Sequence, residues 1–154
     1  MAVNLRVDYD KTFASKKDAA QTFAYLSDLK TAIPKHFAGI ERFEEKRPGV
    51  FHWIFQKLEH SGRELQIKLS TEKKVNEGKS IVVSSVPEPG FDKITASWDI
   101  GPKASGSEVR FQATLEVELP LPGLLKAVIA PVAQRELAKF FDRYIENVEK
   151  TLAA

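Results

Sequence analysis

The amino-acid sequence predicts an α+β domain: a curved, mostly antiparallel sheet of about seven strands wrapped around one long C-terminal helix, with two short helices after the first strand. Three observations carry this. Apolar and polar residues alternate in successive short runs separated by Gly- and Pro-containing turns, as in an antiparallel meander with one wet face. From Gly123 onward the apolar residues instead recur every three or four positions, as on a helix. A long twisted sheet must also cover its apolar face, and only one large helix is available to cover it. Wrapping the sheet around that helix solves the burial problem and leaves space wherever the two pack imperfectly.

The first strand places Val3, Leu5, Val7, Tyr9 and Phe13 on one face and Asn4, Arg6, Asp8 and Asp10 on the other. Ser15 then offers a helix N-cap, with Asp18 three residues later as a capping-box variant, and Ala19, Phe23 and Leu26 carry the helical spacing. Asp28 opens a second short helical turn that Pro34 should end. The period returns to two over Ile40 to Lys46, which stops at "RPG", and over Val50 to Leu58, which stops at "HSG". Leu65, Ile67 and Leu69 begin a strand closed by "NEG", and "SIVVSSV" begins another before the "PEPG" loop. Ile94, Ala96, Trp98 and Ile100 alternate up to "GPKASGS"; Val109, Phe111, Ala113, Leu115 and Val117 give the clearest alternation in the chain. The final helix shows one stripe through Leu125, Ile129, Ala133, Leu137, Phe140, Tyr144, Val148 and Leu152, and Pro131 should kink or restart it near Ile129.

A chain of 154 residues with these proportions fits one domain, residues 1–154. Its net charge is +2 and its basic residues are scattered, so no stripe suited to nucleic acid is visible. There is no cysteine, which removes disulfides, thiolate nucleophiles and Cys-bound metals and suits a cytoplasmic domain. The opening "MAVNLRVDYD" alternates and does not resemble a signal peptide, and no apolar run is long enough to span a bilayer.

The stretch "DYDKTFASKKDAAQTFAYLSDL" as strand leading into helix, and "SGSEVRFQATLEVEL" followed by the long helix, resemble the helix-grip fold of the START and polyketide-cyclase-like (SRPBCC) superfamily, which also holds the birch-pollen-allergen-like proteins. The resemblance covers essentially the whole chain. It implies a hydrophobic or lipid-like small molecule held between the sheet and the C-terminal helix, in a carrier, sensor or, less often, an enzyme. The chain departs from the plant-allergen branch, whose Gly-rich phosphate-loop-like turn is not matched by "NEGKS" or "PEPG".

Alternation turns Phe51, Trp53, Phe55, Ile67, Leu69, Trp98, Phe111 and Leu115 to the interior, where each either fills the core or lines a cavity. Trp53, Trp98 and Phe111 carry the largest rings and are the first candidates for ligand contact. Tyr9 is the polar-tipped residue on an otherwise apolar strand face, placed to orient a ligand oxygen or to reach water. His36, His52 and His60 do not converge in metal-ligand spacing and are expected on the solvated surface. No nucleophile elbow, catalytic set or cofactor motif is present in the sequence.

The apolar head of the last helix covers more than one stripe. Leu125, Val128 and Val132 there can contact a ligand, form a lid, dock transiently on a membrane, meet a second copy, or lie beneath the short helices. Two alternatives therefore stand beside ligand binding. One is a cyclase- or hydratase-like enzyme using Tyr9, Thr71 or Lys73, which share parity with inward positions; the other is membrane or partner docking through residues 119–133.

Overall fold

A computed structural model of the chain describes residues 3–60, 63–119 and 122–153. Strand β1 (Val3–Ser15) leads into helices α1 (Ala19–Ser27) and α2 (Leu29–His36). Strands β2 (Ile40–Arg47), β3 (Val50–Phe55), β4 (Leu58–His60), β5 (Arg63–Leu65), β6 (Lys68–Asn76), β7 (Ser80–Ser85), β8 (Lys93–Lys103) and β9 (Gly106–Leu119) follow. A 3-10 turn at Gly123–Leu125 opens the long helix α3 (Lys126–Leu152). Seven strands form one antiparallel sheet in the order β1-β9-β8-β7-β6-β3-β2, and β4 and β5 make a separate hairpin. This is the expected α+β helix grip.

Period-two patterning does the work in the sheet. Ile94, Ala96, Trp98 and Ile100 of β8 and Val109, Phe111, Ala113, Leu115 and Val117 of β9 are all buried. The register sets Trp98 opposite Phe111 and Ile94 opposite Leu115, so the inward side chains meet as cross-strand neighbours. Leu137, Phe141, Tyr144, Ile145, Val148 and Leu152 of α3 complete the core from the other side.

Several boundaries differ from the sequence reading, each for a local reason. Ser15 does not cap α1. It stays in β1 opposite Ser107, and Asp18 is the cap, accepting from the Gln21 amide at 2.7 Å. Pro34 does not end α2, which runs on to His36 and closes with a bond from the Phe37 amide to the Ile33 carbonyl. Strand β3 stops at Phe55, and the next apolar residue, Leu58, belongs to the β4–β5 hairpin. Strand β8 continues through Pro102 to Lys103. Its pairing with β7 ends at Asp99, so the missing amide of Pro102 disrupts no ladder on that side. Finally, α3 is one helix through Pro131 rather than two. The carbonyl that Pro131 leaves unpaired belongs to Ala127, an exposed residue within reach of water.

The stripe on α3 is buried or half-buried from Ile129 onward, with Ile129 and Ala133 packed against the core; the second apolar side of its first turns is not. Leu125 is half-exposed, and Leu124, Val128 and Val132 are 94%, 71% and 52% exposed. Near Gln134, whose side-chain amide donates to the Arg6 carbonyl, α3 meets the edge strand β1. Ahead of that contact only the side carrying Leu124, Val128 and Val132 is left uncovered. Among the described residues no helix is long and apolar enough to cross a membrane.

Candidate functional site

Between the sheet and the middle of α3 lies a cavity of ≈ 300 Å³. Its floor is built from inward positions of the central strands: Trp53, Leu69, Ile94 and Leu115, each buried. Helix α3 contributes Leu137, Phe140 and Phe141 from the opposite side, and the α2–β2 junction contributes Phe37, Ala38 and Gly39. Phe55 and Ile67 carry the wall toward an opening where Gln56 and Arg143 are exposed.

Phe37 is the hub of this wall. Its ring lies edge-on to Trp53 (6.0 Å between centroids), Phe55 (5.9 Å) and Phe141 (5.8 Å) and stacks on Tyr144 at 5.0 Å. Phe37 can sit there because the chain turns sharply just after it. Gly39 has φ +83°, and a Cβ at that position would stand 3.1 Å from the Phe140 ring. The mouth is therefore pinched between the Gly39 backbone and Phe140, with the Gln56 amide fixed to the Gly39 carbonyl at 2.7 Å.

Trp53 presents only its apolar surface to the cavity. Its indole N–H donates to Thr71 Oγ1 at 2.8 Å, and Thr71 is fully buried. The other inward polar groups are likewise committed to protein partners. Tyr9 donates to Asp142 Oδ1 at 2.6 Å and stacks on Phe141, and burial, then the Asp142 carboxylate, hold its phenol well above the ordinary pKa. Lys73 Nζ donates to the Ser27 carbonyl at 3.0 Å. Tyr9, Thr71 and Lys73 do not converge on the cavity.

Of the residues the sequence singled out, Trp53, Phe55, Ile67, Leu69 and Leu115 meet on the cavity wall. The structure does not bring Tyr9, Phe51, Trp98, Phe111, Leu125, Val128 or Val132 to it. Phe51 stacks on Phe43 at 5.2 Å. Trp98 and Phe111 pack with Tyr144 behind the cavity, where the Trp98 N–H donates to the Tyr144 hydroxyl at 3.0 Å. Leu125, Val128 and Val132 lie on the uncovered start of α3. Sequence reasoning missed Phe37, Gln56 and Arg143, which follow no strand or stripe pattern, and Phe141, a second aromatic beside the stripe residue Phe140.

The histidines also need correction. His36 is not on the solvated surface; it is 4% exposed, bonded to the Tyr25 hydroxyl, and burial followed by the Lys35 charge pushes its pKa below the ordinary histidine value. His52 is half-buried against Phe91 and pairs with Glu88 at 3.1 Å. The side chain of His60 lies outside the described residues. Among the described residues no cluster of three or more His, Asp or Glu is placed to hold a metal. A second hollow, of ≈ 410 Å³, lies on the outer face over β1, β9 and β8, but its carboxylates are already engaged: Asp10 by Arg110 and Asp8 by Thr114.

No protein-family model and no curated protein sequence matches the chain. Solved structures do. The di-domain ARO/CYC StfQ from the steffimycin biosynthetic pathway superposes with a TM-score of 0.62 at 14% identity over 96% of this chain. This chain spans 51% of StfQ. The KanY protein gives 0.66 at 19% identity, covering 96% of this chain and 97% of its own. A START superfamily protein from Mycobacterium smegmatis gives 0.61 at 18% identity, with 96% of both chains covered. The fold is the START/polyketide-cyclase-like helix grip. In this helix grip the cavity lies between the sheet and α3.

Proposed function

We propose that the protein binds a hydrophobic small molecule in the cavity between the sheet and α3, as a carrier, sensor or chaperone of that ligand. One observation carries the reading: a space of ≈ 300 Å³ walled almost wholly by aliphatic and aromatic side chains, at the low end of the volumes of known ligand sites. A bound apolar ligand would remove that apolar wall from water. The wall favours binding over chemistry. Its only ionisable side chain among the described residues is Arg143, and the Tyr9, Thr71 and Lys73 groups that a cyclase or hydratase would use are engaged elsewhere.

The test is to fill the space. Wild-type protein is expected to bind naphthalene, read by tryptophan fluorescence, and Leu115→Trp is expected to lose that binding while keeping its circular-dichroism spectrum. Leu137→Trp fills the same space from the helix side and should behave alike. Undiminished binding in both folded variants would place the ligand elsewhere and remove the proposal.

A second reading rests on the exposed residues Leu124, Val128 and Val132, which recur at every fourth position and form a short apolar stripe on α3. Flanked by exposed Lys126 and Arg135, the stripe fits reversible contact with an anionic membrane surface, weak because it is one modest signal. A minor fraction of the protein is expected to float with phosphatidylserine vesicles, and Val128→Asp should abolish it. Complete retention of the wild type in the bottom fraction would end this reading.

A further inference from the structure

An apolar molecule filling the cavity must end at a mouth whose chemistry is one-sided. Among the described residues that line the cavity, only Arg143 carries a charge, and no carboxylate is present. Arg143 and Gln56 are both exposed. Arg143 follows Phe140 by three positions on α3, which sets its guanidinium on the same helix face as the ring that narrows the opening. Gln56 lines the same cavity, its backbone amide bonded to the Gly39 carbonyl.

The guanidinium is also uncommitted. None of the ion pairs among the described residues involves Arg143. The adjacent Asp142 accepts from Tyr9, and Glu136, whose carboxyl feels the Arg143 charge, is bonded by Lys139 at 2.9 Å. Five N–H donors in a planar fork thus border an apolar space, and no acid among the described residues pairs with them.

From this we infer that the ligand is an amphipathic monocarboxylic acid. Its apolar body lies against Trp53, Leu69 and Phe141, and its carboxylate is held at the mouth by Arg143 with Gln56. The inference rests on the cavity being the ligand site. An apolar wall cannot accept a charge, because burying an unpaired carboxylate is prohibitively costly, so the head group has to stay at the opening. A guanidinium is the side chain best shaped to meet it, through two parallel charge-assisted hydrogen bonds. Volume limits the body. A cavity of roughly 150 Å³ takes one benzene ring, so ≈ 300 Å³ suits a body of one or two rings, or a medium-length chain, and not a three- or four-ring framework.

The test compares 2-naphthoate with its neutral isostere 2-naphthamide, titrated at low salt against wild type and Arg143→Gln. Wild type is expected to prefer the acid by about tenfold. Arg143→Gln should erase the preference by weakening the acid alone, leaving the amide unchanged. Arg143→Lys should keep part of it, as a point charge without the fork. Arg143 is exposed, so the variants should melt with the wild type. Equal affinities in wild type, or a preference that survives Arg143→Gln, would overturn the carboxylate anchor and leave cavity binding standing. If neither compound binds, the cavity proposal falls and takes the anchor with it.

Discussion

Replacing Gly106 by alanine is expected to cost the protein about 3 kcal/mol or more, from backbone strain and overpacking together. Gly106 opens β9 with φ +117°, a conformation L side chains rarely adopt. A Cβ there would stand 2.1 Å from the Ser15 carbonyl oxygen and 3.1 Å from Lys16 Cα. Neither neighbour is free to retreat. Ser15, Thr22 and Ser107 form a buried chain of hydroxyls, Ser15 Oγ to Thr22 Oγ1 at 2.9 Å and Thr22 Oγ1 to Ser107 Oγ at 2.8 Å, and Ser107 donates to the Lys17 carbonyl. The Lys16 amide donates to the Leu152 carbonyl, tying the same corner to the end of α3. For a chain of this size such a loss corresponds to a melting temperature lower by about 10 °C. Gly90→Ala is the control, because Gly90 also has positive φ but a Cβ there meets nothing within 4 Å. It should cost only about 1–2 kcal/mol. Equal losses in the two variants, measured by urea unfolding, would show that the close approach at Ser15 contributes nothing.

The sheet was legible because period-two patterning reports which face of a strand is buried, and β8 and β9 follow it through every residue of the core. It does not report depth. Trp53 and Trp98 both face inward, yet one lines the cavity and the other is sealed behind it, because Phe37 and Phe141 stand near the first while Tyr144 closes over the second. Those closing residues come from α3 and from an irregular junction, and no single strand encodes where they land. The start of α3 shows the converse limit. Its helical period is strong in sequence, but burial depends on where a partner surface lies: Ile129 and Ala133 pack on the core, while Leu124, Val128 and Val132 on the other side of the same turns stay exposed. Arg143 escaped notice for a related reason. A charged residue beside a helix stripe reads as ordinary solvated surface until the opening beside it is located. His36 completes the stripe of Leu29, Ala32 and Ile33 at the seventh position, but a helix expected to end at Pro34 leaves it off that stripe; the packing of α2 against β2 and α3 buries it.

Trp98→Ala is expected to be the most damaging single truncation in the core, losing about 3–5 kcal/mol. Part of that loss is polar, and a cycle of smaller changes isolates it. Tyr144 is fully buried, and burial holds its hydroxyl well above the ordinary phenol pKa; the Trp98 indole is the donor that meets it, at 3.0 Å. Trp98→Phe keeps an aromatic ring but strands that hydroxyl, at about 1–3 kcal/mol beyond the packing loss. Tyr144→Phe strands the indole N–H by the same logic. The double variant removes both partners, so its destabilisation should fall short of the sum of the singles by about 1 kcal/mol or more. Strict additivity in urea unfolding would mean that the pair contributes nothing as a hydrogen bond. The same variant also separates core from cavity. Trp98 does not line the cavity, so folded Trp98→Phe should bind 2-naphthoate as the wild type does, whereas Leu115→Trp should not bind it at all. A Trp98→Phe protein that is fully folded yet has lost naphthoate binding would mean that the ligand reaches past Phe111 to the Trp98–Tyr144 pair, and that the site is deeper than the space now open between Trp53 and Phe141.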